Sequence, residues 1–257
     1  MRLAGSVALV TGANRGLGRA FVAALLDRGV ARVHAAARRP EALAPLRDMH
    51  GDRVVPLQLD VTDQAQVDRA AAAAPDVTLL LNNAGVLAGS GLLDAGSVAP
   101  LQEELAVNAV GPARMALAFA PAIERNGGGA IVNMLAIASL CTAPHFGTYS
   151  AAKMAAMALT QGLRCDLAGR DIEVFGIYAG LIDTDMIAFI DQEKSSPAAI
   201  AARSLDGIEA GIPEIDADDR AVALRQAMRD DPDGALAAMF RRARQVRSAR
   251  PAGRKSV

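Results

Sequence analysis

Short apolar runs alternate with longer amphipathic stretches along the whole chain. Residues 7–10 form an apolar run closed by Thr11-Gly12, and a helical spacing follows in which Leu17, Phe21, Leu25 and Leu26 share one face. The pattern then repeats. Strand-like runs cover residues 32–37, 54–60, 76–82, 130–136 and 171–178, with a last, short one at 212–216. Helical patterns cover 98–126, 148–168 and 197–209, and 218–245 reads as one or two helices broken by the turn-forming DDPDG at 230–234. Strands buried on both faces and separated by helices predict a parallel, doubly wound α/β sheet of the Rossmann type, with helices on both sides.

Composition narrows the picture without changing it. The 257 residues suit a single α/β domain, expected over 1–240, followed by a tail at 241–257. Aromatic residues at 3% argue against an all-β sandwich. A formal net charge of -1 supplies no field for nucleic acid, and no apolar run in the sequence suggests a membrane span, so the expected partners are small molecules. The start of the chain runs into a strand without a leader pattern, and Cys141 and Cys165 read as two free thiols. Both features lead to the expectation of a cytoplasmic protein. The cysteines and histidines have no ligand-type spacing, so no metal is expected.

The turn after the first strand, TGANRGLG at 11–18, places glycines where the backbone must bend and approach a ligand, with a helix N-terminus behind them to meet phosphate. The second strand ends in Ala37-Arg38-Arg39. A carboxylate there would bind a ribose 2′-hydroxyl. An arginine suits a 2′-phosphate, and Arg15 adds a second positive charge, which favours NADP(H) over NAD. Asp60, Asn83 and Gly85 stand at the carboxyl ends of the third and fourth strands, where such sheets bind ligands. Tyr149 and Lys153, four apart on a helix, share a face, so an ammonium lies beside a phenol able to exchange a proton.

In order and spacing from Ser6 to about Met186, these motifs, with Asn82-Asn83-Ala84-Gly85 and Asn108, resemble the compact, one-domain short-chain dehydrogenases/reductases. The resemblance implies an NADP(H)-dependent oxidoreductase that interconverts a moderately apolar ketone or aldehyde and its alcohol. It implies a catalytic set of Asn108, Tyr149 and Lys153, in which Tyr149 exchanges the proton, Lys153 lowers the tyrosine pKa and Asn108 kinks its helix and holds a relay water. The implied cofactor set is Gly12, Asn14, Arg15, Gly16, Leu17, Gly18, Arg38, Asp60, Val61, Asn83, Ala84, Gly85, Tyr149, Lys153, Gly180, Ile182 and Thr184. It also implies a homodimer or homotetramer through the flanking helices, the second of which is small-featured over 151–159.

The chain departs from that family where a serine should stand 13 residues before the tyrosine, because that position is Ala136. Alanine cannot donate to a substrate oxygen. The substrate is held differently, or the redox chemistry is lost or changed, or the alanine is a Ser→Ala variant; Ser139 is the one nearby hydroxyl that a re-aimed loop would offer. The usual Pro-Gly after the sixth strand is Ala179-Gly180, a less rigid turn. Residues 184–211 are expected to form a lid, with Ile187, Phe189 and Ile190 over the substrate, and Leu135, Leu140, Cys141, His145 and Phe146 to line the opposite wall. The tail from Arg241 carries only positive charge and is expected to be frayed and solvated. Two other readings keep the same motifs: an isomerase or lyase without net redox turnover, and a non-catalytic NADP-binding protein.

Overall fold

The computed structural model describes residues 1–89, 91–142 and 145–248. Its elements in chain order are β1 (Val7–Thr11), α1 (Gly16–Asp27), β2 (Arg32–Ala37), α2 (Ala44–His50), β3 (Val54–Gln58), α3 (Gln64–Ala73), β4 (Leu79–Asn82), α4 (Leu92–Ala95), α5 (Ala99–Leu105), α6 (Gly111–Arg125), β5 (Gly129–Met134), α7 (Gly147–Asp166), β6 (Ile172–Tyr178), α8 (Pro197–Glu209), β7 (Glu214–Asp216), α9 (Asp219–Asp230) and α10 (Pro232–Ser248). The strands make one seven-stranded sheet in the order β3-β2-β1-β4-β5-β6-β7, and every pairing is parallel. This is the doubly wound architecture expected from the alternating pattern.

The strands read as continuous apolar runs because they are buried on both faces. Ala8 and Val10 of β1, Leu79 and Leu81 of β4, Val132 of β5 and Ile177 of β6 point into one core, shared with Phe21, Val22 and Leu25 of α1 and Ile200, Leu205 and Ile208 of α8. Leu9, Leu80, Ile131 and Val174, one residue out of phase, enter the other core with Val67 of α3 and Met115, Phe119 and Ile123 of α6. A third cluster joins Ala156 of α7, Tyr178 and Ala221. Between β1 and β4 the strand order reverses, so a crevice opens at the carboxyl ends of those two strands.

Three expectations are corrected here. The lid was expected to reach residue 211, but α8 is a core helix on α1, and only the segment before it lies free to cover a site. The span Ala99–Arg125, 27 residues, is long enough to cross a membrane and holds an 18-residue window apolar enough to do so, at mean hydropathy 1.2, where no such run was expected; half of that window is buried inside the fold. The tail was expected to fray from Arg241, whereas α10 continues to Ser248; the residues after it lie outside those described. The break at DDPDG is present: the Asp231 carboxylate accepts the Gly234 amide at 2.9 Å, capping α10 as α9 ends.

Sheet register at the β4–β5 pair rests on Gly129, where an added Cβ would lie 1.9 Å from the Thr78 carbonyl oxygen that receives the Ala130 amide. Gly129→Ala is therefore expected to destabilise the fold by about 2 kcal/mol or more, because backbone must move to admit the methyl. Chemical denaturation checks it: an unchanged midpoint would show that the strands spread freely at this point.

Candidate active site

The crevice is a cleft of about 480 Å³. All the residues expected to bind cofactor line it: Gly12, Asn14, Arg15, Gly16, Leu17, Gly18, Arg38, Asp60, Val61, Asn83, Ala84, Gly85, Tyr149, Lys153, Gly180, Ile182 and Thr184. Of the expected catalytic residues only Asn108 stands behind the wall, buried.

Its floor is built by hydrogen bonds between strand ends. The Thr11 hydroxyl accepts the amides of Asn83 and Ala84, each at 2.9 Å, and the Asn83 side-chain amide donates back to the Thr11 carbonyl at 2.9 Å. The glycines are required by this closeness. A Cβ on Gly18 would lie 2.1 Å from the Gly12 carbonyl oxygen and 2.7 Å from Asn83 Nδ2, and Gly12 adopts φ 65° against Ala84. The result is a bare backbone cradle at the start of α1, of the size and polarity a pyrophosphate needs, so the residues present fit a dinucleotide. Asp60 holds the next turn, its carboxylate accepting the Thr62 amide and hydroxyl at 2.9 and 2.7 Å.

At the corner expected for a 2′-phosphate, Arg38 is exposed and borders the cleft. Arg15 is not free there; it forms an exposed ion pair with Asp185 at 3.2 Å across the cleft mouth. The segment after Ile182 leaves and returns through paired backbone: Ser195 donates to Leu181 and Asp183 donates to Ser195. Ile187 and Ile190 of this loop line the cleft, and the largely exposed Phe189 sets its ring 6.4 Å from that of Phe146, tilted by 43°. Of the opposite wall, Leu135 and Phe146 line the cleft and Leu140, Cys141 and His145 do not. Cys141 is buried with its thiol 3.5 Å from the Met239 sulfur, while His145 sits 3.8 Å from Asp94.

Tyr149 and Lys153 are on one face of α7, with the ammonium 5.7 Å from the centre of the phenol ring. The ammonium donates to the Met134 carbonyl at 2.7 Å, and its burial lowers its pKa to about 8. Burial first, and the Glu104 carboxylate second, push the phenol above its usual range. Ala136 lines the cleft at 8% exposure. Ser139 does not take its place: it is buried and its hydroxyl accepts the Ala136 amide at 3.3 Å, turned away from the cleft.

Asn108 lies in a single π turn, Ala106–Val110, joining α5 to α6, which is the irregularity expected of it. Its side chain accepts the Val86 amide and donates to the Val86 carbonyl, both at 2.9 Å, using one of its two N–H donors and one of its two carbonyl lone pairs. Two residues escaped the sequence reading. Asp218, buried, caps α9 through Ala221 at 2.8 Å and also accepts the Gly180 amide at 2.7 Å, tightening the turn that lacks proline. Glu104 is wholly buried and accepts the Ala88 amide at 2.8 Å. Its signal was a carboxylate four residues before Asn108 on an otherwise apolar helix face.

The short chain dehydrogenase family model matches residues 6–195. The 2-(R)-hydroxypropyl-CoM dehydrogenase of Xanthobacter autotrophicus is 32% identical over 205 residues, covering 76% of this chain and 82% of that one. A crystal structure of a short chain dehydrogenase from Burkholderia cenocepacia in complex with NADP superimposes with a TM-score of 0.88 at 37% identity, over 93% of this chain and 99% of that one. A short chain dehydrogenase/reductase from Burkholderia phymatum in complex with NAD gives 0.81 at 26% identity, over 91% and 96%. A parallel sheet with this crevice, a glycine cradle and the Tyr149–Lys153 pair in one cleft agree with that match: the chain belongs to the short-chain dehydrogenase family of oxidoreductases.

Proposed function

We propose that the protein interconverts a moderately apolar ketone or aldehyde and its alcohol, with NADP(H) as cofactor. The observation that carries the reading is the placement of Tyr149 and Lys153 in the same cleft as the glycine cradle and Arg38. Gly12, Gly16 and Gly18 would hold the pyrophosphate, Asp60 and Val61 the adenine side, and Arg38 the 2′-phosphate. Arg15 would join Arg38 by exchanging its exposed Asp185 partner for the phosphate, an exchange that costs little because such pairs are weak. A bound nicotinamide supplies or accepts the hydride.

The chain's own residues then handle the proton and the position. The Tyr149 phenol gives its proton to the carbonyl oxygen in reduction and takes one from the alcohol in oxidation. Neutral in this surrounding, it is set as a donor. Lys153 holds the sugar next to the nicotinamide and, as the nearest cation, stabilises the phenolate once it forms. Asn108 would feed the proton relay past Lys153 through a water, its two bonds to Val86 fixing the residue at the π turn. Ile187, Ile190 and Leu135 give the substrate an apolar wall. We place the enzyme in the cytoplasm as a homodimer or homotetramer through α6 and α7, whose Leu117 and Leu159 are exposed.

With Ala136 where the family has serine, one donor to the substrate oxygen is missing. Ala136→Ser is expected to raise kcat for NADPH oxidation against a carbonyl panel by about 10²-fold or more. No gain would mean that the substrate oxygen is held elsewhere. Tyr149→Phe is expected to leave NADPH affinity within about threefold while removing turnover, as for a group acting in the transition state. Binding without consumption in both the wild type and Ala136→Ser would favour a nucleotide-binding protein or a non-redox enzyme. Arg38→Ala should weaken NADPH by roughly tenfold and leave NADH nearly unchanged, read by fluorescence titration; equal loss for both would remove the case for the 2′-phosphate.

A further inference from the structure

Glu104 has no part in the reading so far, yet its surroundings are unusual. It projects from α5, which packs against α7, and is 0% exposed. One oxygen, Oε1, accepts the Ala88 amide at 2.8 Å; the other, Oε2, is buried with no hydrogen-bond partner among the described residues. A carboxylate so placed is expensive to keep, since a leucine would fill the position at no electrostatic cost.

Its geometry suggests what it does. Glu104 and Asn108 are one helical turn apart and grip alternate residues of the same loop. Asn108 takes both backbone groups of Val86, and Glu104 takes the amide of Ala88. Between them Leu87 lines the cleft, as does Val86 itself. The two side chains thus form a clamp that sets the loop leading out of the Asn82–Gly85 turn. Among the described residues, the ionisable groups around the site are Lys153, one turn along α7 from Tyr149, which donates to the Met134 carbonyl, the His145–Asp94 pair on the flanking loop and α4, and Arg15, Arg38, Arg39, Asp60 and Asp185, which line the same cleft. The Glu104 charge adds to burial in raising the Tyr149 pKa.

We propose that Glu104 is a positioning residue for the proton-transfer site, fixing the Val86–Ala88 loop through its hydrogen-bonded oxygen and opposing a negative charge on Tyr149 through its free one. The electrostatic half rests on Tyr149 acting as acid and base; the loop clamp does not. Two replacements separate them. Glu104→Gln keeps an acceptor for the Ala88 amide and removes the charge, whereas Glu104→Leu removes both.

Hydrogen exchange at the Ala88 amide reads the clamp without any turnover. The amide should keep its protection in Glu104→Gln and exchange at least about tenfold faster in Glu104→Leu. The pH profile of alcohol oxidation reads the charge: rate rises with pH as Tyr149 ionises, and this limb should move down by roughly one pH unit in Glu104→Gln. A residue with only a packing role would change stability and leave that limb in place. The proposal is overturned if Glu104→Leu leaves Ala88 protected, or if the wild-type and Glu104→Gln limbs coincide. Should neither the wild type nor Ala136→Ser turn over any carbonyl or alcohol, the oxidoreductase reading fails and the electrostatic half fails with it; exchange at Ala88 then still decides the clamp.

Discussion

The site depends on the bonding between the ends of β1 and β4. These strands are neighbours in the sheet but far apart in sequence, and their connections leave in opposite directions, so the chain separates above them. What keeps the gap at a fixed width is the Thr11 hydroxyl, which accepts two consecutive amides, and the Asn83 amide, which donates back to the carbonyl of Thr11. Both floor segments, the glycine turn and the Asn82–Gly85 turn, are thereby fixed against each other, with no room for a Cβ at Gly18. The helices beyond follow from that spacing, since α1 can begin only where the glycine turn lets it.

That constraint explains why so much was legible in the sequence. Strand positions, the parallel order and the glycine turn follow from apolar periodicity and from glycines that local geometry demands, and the remaining cofactor-lining residues from the family resemblance; all are written in short stretches of chain. Element ends were less legible: the third strand stops at Gln58 rather than at Asp60, because Asp60 turns the chain with its own carboxylate. The failures have a common cause, which is tertiary pairing. Whether residues 197–209 form a lid or a core helix depends on α1, and whether Cys141 faces the cleft depends on Met239, almost a hundred residues later. No local pattern around Pro197 or Cys141 carries that information.

Electrostatics shows the same division. The four-residue spacing correctly placed an ammonium beside a phenol, but the sign of its effect depends on what else is buried with them. Lys153 donates to a backbone carbonyl at the end of β5, burial makes its charged form costly, and the Glu104 carboxylate from α5 opposes the phenolate. The neutral phenol is favoured in this surrounding, while Lys153 keeps its charge at neutral pH. Proton transfer to a substrate oxygen is then the natural act of Tyr149, with the Lys153 ammonium beside it to meet the phenolate.

The start of α9 is tied to the same site. Asp218 at the start of α9 accepts the Gly180 amide, and Arg220 two residues later donates to the Glu193 carbonyl at 2.9 Å. One short stretch of chain thus holds the loop over the cleft near both of its ends. A Pro-Gly turn would restrict the first of these points covalently, through the fixed φ of proline. With Ala179 in its place the same restraint comes from a buried carboxylate, and it acts only when α9 is docked. The segment that closes the cleft is therefore coupled to the last helices of the fold, so a change at the α9 end reaches the cofactor-lining turn without touching the cleft itself.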